Sequence, residues 1–465
     1  MTNKLSVFSR NLSVSWPLIS LLAITCCLSF AVRADEADLQ TQIAALKVEN
    51  ELLRTELARC AGQDSAHIAT DPTTIGLLRK LATQQSDNAE LAMGLGGGPL
   101  IIPEALLRSV VPNEYIVLLD PDAPRPANPA DVAALYGVPQ TQVKHVYARA
   151  LAGFAIRATL AQRDTLEARA GVAGIAQNGR VFSTGTLTNT PNLKAPRSAL
   201  KPVASHQNQI DVYLFDTGIR AAHSDLQGRV AEVGFSFFDN GIAGEDCAGH
   251  GTHVAARIAG NNLGISQSAR LASVKVIDRF GTGDVATVVA GIDWVMAQSG
   301  DLKLINMSLT RRVTEDPNPL DLAVNALIDT GAIVVVAAGN SASDALDFTP
   351  ARVSRAITVG SSIGPALSNF SNAGIGVDIY APGEAVTSAS IRDICAVQEM
   401  SGTSMAAPFV TGLIADMLSS GTDADKIVQT LRSQASRVPT GAFAGETERF
   451  TLAPVNFTSD LMCAR

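Results

Sequence analysis

The sequence predicts an α/β protein: a three-layer, doubly wound, mostly parallel sheet, preceded by a small α+β module. Three observations carry this expectation. Between residues 210 and 420 the apolar runs are continuous rather than alternating: IDVYLF (210–215), LASVKVI (271–277), LINMSL (304–309), AIVVVAA (332–338) and AITV (356–359). Strands apolar on both faces belong to parallel sheets covered on each side by helices. Helical patterns near 250–261, 284–299, 318–330 and 404–419 separate these runs, which is the alternation of a doubly wound fold. Polar residues gather where the runs end, and open sheets of this kind bind ligands at the carboxyl ends of their strands.

Composition narrows the class. The chain has 465 residues, 46% hydrophobic and 17% charged, with 37 glycines, which excludes a mostly disordered chain or a charged coiled-coil rod. Net charge is −8, so the basic footprint of a nucleic-acid binder is missing and no nucleic-acid partner is expected. The cysteines (Cys26, Cys27, Cys60, Cys247, Cys395 and Cys463) are too few for a disulfide framework in so long a chain.

The elements run as follows. Residues 1–34 read as a signal peptide: Lys4 and Arg10 precede an apolar stretch from Trp16 to Val32, and Val32-Arg33-Ala34 offers small residues for cleavage after Ala34. An uncleaved anchor competes with this, although the run is barely long enough to span. A lipoprotein reading through Cys26 or Cys27 has a poor lead-in. Cleavage makes the protein secreted or periplasmic. Residues 35–61 hold a short coiled-coil-like helix, with Ile43, Leu46, Asn50, Leu53 and Leu57 in a and d positions. Oligomerisation through residues 36–60 and an ordinary amphipathic helix are equally open, because three heptads are marginal alone. A variable linker region, 62–111, ends in the Gly-rich run 94–100.

Residues 112–182 form the small module. Strands are expected at Tyr115–Leu119, Val143–Tyr147 and Gly153–Ala158, helices at Pro129–Tyr136 and Thr165–Ala170, and a closing edge at Val172–Val181. No catalytic constellation lies within it. The remainder, 183–465, holds the chemistry.

The first core strand runs into Asp216-Thr217-Gly218, where an Asp also serves as a plain turn cap. The next junction carries Gly249-His250-Gly251-Thr252-His253, an imidazole in the first turn of a helix. Two His three apart also suggest a metal site, but there is no Glu between them and no partner pair at ligand spacing. The strand AIVVVAA ends at Gly339-Asn340, and Ser404 opens an apolar helix with Pro408 early in it. A Ser hydroxyl needs a base to take its proton and a carboxylate to orient that base, and Ser404, His250 and Asp216 supply the set. The Asn340 amide and the Ser404 backbone N–H can face a developing oxyanion. Acyl transfer by a serine nucleophile follows.

DTGI, HSDLQGRV, GHGTHVA, NMSL, AAGN, FSNAGIGVDIYAPG and SGTSMAAP resemble the subtilisin family of serine proteases, and more closely its proteinase K-like branch. The chain order Asp, His, Ser is the subtilisin order. YIVLL, VKHVYARALAGFAIRAT and GVAGIAQNGRV resemble the family's I9-type prodomain, which chaperones folding and then occupies the cleft; an unrelated accessory domain is the alternative. The resemblance implies a subtilisin-like catalytic fold and an exported endopeptidase made as an autoprocessed zymogen, with protein or peptide substrates and its own prodomain as inhibitor. A catalytically silent binding protein of the same fold is the rival. By resemblance, Gly281, Thr282 and Gly283 on one side and Ser308, Leu309 and Thr310 on the other flank the substrate backbone, and Gly339 is a further substrate-binding position. His253 is expected to be a packed neighbour of the base.

Some positions depart from the family pattern. Ala256 replaces a Gly. Thr310 and Arg311 replace Gly-Gly and are expected to narrow the wall of the P1 pocket. The usual Trp-Gly-Leu opening of the mature enzyme is missing, which leaves the maturation site within 178–200. No cofactor is required; structural calcium is common in the family, and Asp378 is its matching carboxylate. Cys247, Cys395 and Cys463 allow a pair near the active site or Cys395–Cys463.

Overall fold

The computed structural model describes residues 110–187, 193–194, 209–232, 234–238, 244–300, 302–313, 316–439 and 448–453. The expected signal peptide, coil and nearly all of the linker lie outside them, as does Cys463.

The first part is an antiparallel sheet backed by two helices. Strand β1 (Val110–Leu119) pairs with β3 (Gly153–Arg157) and β4 (Val172–Ser183), and β2 (Val143–Tyr147) closes the edge on β3. Helix α1 (Pro129–Tyr136) starts at Asn128, whose side chain accepts from the N–H groups of Ala130 and Asp131, with Pro129 at the first helical position. Helix α2 spans Leu160–Glu167, not Thr165–Ala170 as expected. Its start is set by a capping box in which Thr159 and Gln162 satisfy each other's backbone donors. Val117, Val132, Tyr136, Phe154, Ile156 and Leu166 fill the core between sheet and helices.

Strand β4 is longer than the module needs, running past Val181. Its first half pairs with β1, while Arg180–Phe182 pair antiparallel with β10 (Thr282–Asp284), and Phe182 and Ser183 with β12 (Leu309–Arg312). Short strands β5 (Thr186–Leu187) and β6 (Leu193–Lys194) then lie against β19 (Ala396–Ser401).

The large sheet is built on β7 (Ile210–Asp216), with β9 (Ala269–Lys275) and β8 (Phe235–Ser236) on one side. On the other lie β11 (Leu304–Met307), β13 (Ile333–Ala337), β15 (Ile357–Ile363), β17 (Ile379–Pro382) and β21 (Glu448–Thr451), all joined in parallel. Strand β20 (Ser436–Pro439) returns antiparallel on β21. Strands β14 (Phe348–Thr349), β16 (Ala366–Leu367) and β18 (Val386–Ala389) pair with β12, β15 and β19.

Helices cover both faces, as expected. Val212 and Leu214 of β7 point into one core with α3 (His250–Ala259), α6 (Thr403–Ser419) and α7 (Ile427–Gln434). Tyr213 and Phe215 point into the other, with α4 (Val285–Ala297) and α5 (Pro319–Asp329). Residues 212–215 therefore each meet an apolar layer, and this is why the run does not alternate. The run 304–309 is not one strand: β11 stops at Met307, and the chain leaves the sheet at Ser308 to begin β12.

Side chains also bind the module to α4. The Asn178 carboxamide accepts from Ala286 N at 3.0 Å and donates to Glu114 and Asp284, each at 3.1 Å. Asp293 accepts from Arg149 N and Ala150 N at 2.5 and 2.8 Å.

Candidate active site

The tips of β7 and β13 and the first turns of α3 and α6 meet at one end of the large sheet. Asp216 is the last residue of β7, and His250 is the first of α3. His250 Nδ1 lies 2.7 Å from Asp216 Oδ1, which also accepts from Thr217 N at 2.7 Å. Both side chains are buried. Neither His250 Nε2 nor Asp216 Oδ2 has a partner among the described residues. A buried ring nitrogen of this kind, aimed into the cleft, is available to a proton donor there.

Asp246, which the sequence reading passed over, holds the first turn of α3. Its carboxylate accepts from Ala248 N and Gly249 N at 2.9 and 2.8 Å, and from Thr252 N and Thr252 Oγ1 at 2.8 and 2.7 Å. It accepts from Thr217 Oγ1 as well, at 2.8 Å, and Thr217 Oγ1 in turn accepts from Gly251 N at 2.9 Å. A negative group at a helix N-terminus is favourable, and this one also ties the tip of β7 to the helix that carries His250.

Ser404 is the second residue of α6 and is fully buried. Its hydroxyl donates to Ser308 O at 3.1 Å, and the Ser308 hydroxyl donates back to Ser404 O at 3.2 Å. Pro408, four residues on, has no N–H for the Ser404 carbonyl, so Ser308 fills a gap that proline opens in the helix. Asn306 supports Ser308 at 3.0 Å and is itself held by Thr411 at 2.8 Å.

Asn340 follows β13. Its Oδ1 accepts from Thr403 N and Thr403 Oγ1, both at 2.9 Å. Two donors on that oxygen leave the amide –NH2 facing the cleft, which fixes the orientation an oxyanion site needs. Asn372 secures the turn from below, donating to Ala338 O and accepting from Ser341 N and Ser343 N.

The segments around Gly281–Gly283 and Ser308–Thr310 lie on either side of β4. Thr282 and Gly283 pair with Phe182 and Val181, and Ser183 N donates to Gly281 O at 3.1 Å. Leu309 and Thr310 pair with Ser183 and Phe182. Gly339 N is held by Thr403 Oγ1 at 3.1 Å. Beyond β4 the chain enters the site itself. Thr184 N donates to Ser404 Oγ at 3.1 Å, the two hydroxyls are 2.5 Å apart, and Asn340 Nδ2 donates to Thr184 O. Thr184 and Gly185 carry no local motif; only the register of β4 brings them here.

Other expected residues are placed as follows. Arg311 turns its buried guanidinium against Gly179, on the other side of Phe182 from Thr184. His253 packs away from the site, Nε2 3.0 Å from Val386 O, and burial lowers its pKa to about 3. Asp378 accepts from Thr358 N at 3.0 Å and pairs with the Arg432 guanidinium at 3.2 Å. A cation already neutralises that carboxylate, so the residues present do not fit a calcium ion there. Among the described residues no group of three or more acidic, His or Cys side chains is placed to hold a metal. Among the described residues Cys395 forms no disulfide, so it is not bridged to Cys247.

A doubly wound sheet bearing a buried Asp–His pair, a Ser at a helix start and an oriented Asn defines the class of α/β proteins with a serine-centred site. Residues 207–447 match the Subtilase family, and the chain belongs to that family. It is 42% identical over 207 residues to an extracellular serine proteinase of Thermus sp. (strain Rt41A), covering 44% of this chain and 50% of that protein. It is 44% identical over 216 residues to the subtilase-type proteinase psp3 of Schizosaccharomyces pombe, covering 45% and 47%. With the alkaline serine exoprotease A of Vibrio alginolyticus the figures are 40% over 207 residues, 44% and 38%. The chain thus spans about half the length, or less, of these curated relatives. A crystal structure of a cold adapted subtilisin-like serine proteinase superposes with a TM-score of 0.48 at 34% identity, covering 58% of this chain and 96% of that one.

Proposed function

We propose that this chain is an exported serine endopeptidase of the proteinase K-like branch, made as a zymogen whose I9-type module, residues 112–182, inhibits and then leaves it. Asp216, His250 and Ser404 form the triad, and Asn340 with the Ser404 backbone N–H forms the oxyanion hole. The observation that carries this reading is the buried 2.7 Å contact between Asp216 and His250, with the second ring nitrogen left open in the same cleft as Ser404. Family membership and the proteinase names of the relatives support it, and the extracellular name of the Thermus relative supports export.

In this reading Asp216 holds the Nδ1–H tautomer, so that Nε2 is the basic nitrogen. Ser404 turns from Ser308 O toward Nε2 as it attacks, and His250 takes its proton. The Asn340 amide receives the charge that develops on the carbonyl oxygen. His250 then protonates the leaving amine, and water, activated in the same way, releases the acyl group. The strands on either side of β4 grip substrate main chain, so proteins and peptides in general are the substrates.

The test is active-site labelling. A serine-directed fluorophosphonate is expected to modify Ser404 in the processed protein and to leave Ser404→Ala unmodified. Folded, processed protein that takes up no label overturns the peptidase in favour of a silent binding protein.

A further inference from the structure

We infer that Thr184–Gly185 is the peptide bond this chain cuts in itself, so that the released module ends at Thr184 and the enzyme begins at Gly185. The inference rests on the serine peptidase reading above and adds the bond. Three contacts from different elements meet on it. Asn340 Nδ2 from the tip of β13 donates to the Thr184 carbonyl oxygen. Ser404 Oγ from α6 accepts from Thr184 N at 3.1 Å, on the same residue whose carbonyl is polarised. Gly185 lies against the base: a Cβ built on it would fall 3.0 Å from His250 Nε2, 2.9 Å from Cδ2 and 3.1 Å from Met405 Cε. The amine that must collect a proton therefore belongs to a residue beside the imidazole, where a Cβ would crowd the ring.

Register excludes the neighbouring bonds. Phe182 and Ser183 are fixed by pairing with β10 and β12, and Thr186 and Leu187 by pairing with Ser401 and Met400 of β19. A shift of one residue would turn the carbonyl on Asn340 away from it and bring a side chain onto His250.

The step balances with water as its only co-reactant. Ser404 Oγ bonds to the Thr184 carbonyl carbon as its proton passes to His250 Nε2. The Thr184–Gly185 C–N bond breaks, and that proton leaves on the Gly185 amine. Water then adds to the Thr184 ester, gives a proton to His250, and Ser404 regains it as the Thr184 carboxylate departs.

The experiment follows the first cut in full-length protein by intact mass and by the terminal peptides of both fragments. A module ending in Phe182-Ser183-Thr184 and an enzyme starting Gly185-Thr186-Leu187 are expected. Ser404→Ala should stay uncut at this bond, and Gly185→Val should be cut there on the order of 10²-fold more slowly, the scale set by an ångström of misplacement at a reacting centre. Protein that labels at Ser404 but is first cut at another bond overturns the assignment and leaves the peptidase reading standing. Cutting at Thr184 that persists in Ser404→Ala also overturns it, because another protease then does the work. Protein neither labelled nor cut overturns both.

Discussion

Ser308 and Ser404 exchange two hydrogen bonds, each hydroxyl donating to the other's backbone carbonyl at 3.2 and 3.1 Å. The pair joins the segment leaving β11 to the start of α6, and it exists because Pro408 cannot serve the Ser404 carbonyl. Ser308→Ala leaves that carbonyl and the Asn306 amide with a lost partner in a buried place. We expect a loss of about 1–3 kcal/mol of stability, read as a lower urea midpoint, together with a lower kcat. An unchanged midpoint would show that water or a rearranged Asn306 replaces the hydroxyl.

Asn340 is held by Thr403 so that its amide faces the Thr184 carbonyl. Removing one oxyanion donor of this kind costs about 10²–10³ in kcat. Asn340→Ala should show that fall with KM little changed, since the donor acts on charge that develops during reaction. A rate within a few-fold of the parent removes Asn340 from the oxyanion site.

Gly179 faces the buried Arg311 guanidinium, which occupies the space a side chain there would need. Gly179→Val should loosen the hold of the module, so that fluorophosphonate labels Ser404 sooner after processing. Gly174, on the same strand with nothing within 4 Å of a built Cβ, is the control: Gly174→Val should label at the parent rate. Equal rates for both variants would mean that Arg311 moves aside freely.

His145 on β2 packs edge-on to Phe237, with ring centroids 5.4 Å apart, and stacks on Tyr147. Burial lowers its pKa to about 4, against the opposing pull of Asp284 and Glu114 and with help from Lys144. The packed state therefore favours the neutral ring, and unpacked chain binds the proton more readily. Acid should weaken the packing progressively from about pH 6.5, the usual His value, down to about 4, and the loss is complete below that. Unfolding of the uncut Ser404→Ala precursor across this range should show the slope, and adding His145→Phe should flatten it. A slope that survives the substitution assigns the effect to other groups.

Much of this was legible in the sequence because burial on both faces writes itself as unbroken apolar runs, as in β7 and β13. Asp216, His250, Asn340 and Ser404 stood out because each sits where such a run ends or a helix begins. Other parts left weaker marks. β17, β20 and β21 are short and extend the sheet edge, and the pairing of Tyr380 with Thr451 depends on residues far apart in the chain. The start of α2 was written in Thr159 and Gln162, a polar signal that apolar periodicity overlooks. Asp246 looks like any loop acid until the helix it caps is folded. The reach of Arg311 to Gly179 leaves no mark in the sequence, because a long side chain meets a different residue from the one its backbone flanks.

Strand β4 belongs to two sheets at once, pairing with β1 in its first half and with β10 and β12 in its second. While the chain is whole, the tail is tethered to its own cleft at a high effective concentration, and dilution does not matter. Once a bond beyond β4 is cut, the same contacts hold a separate molecule, and occupancy falls as the protein is diluted. In the exported zymogen proposed above, one strand would thus turn transport from a crowded site of synthesis to an open one into a measure of when activity begins.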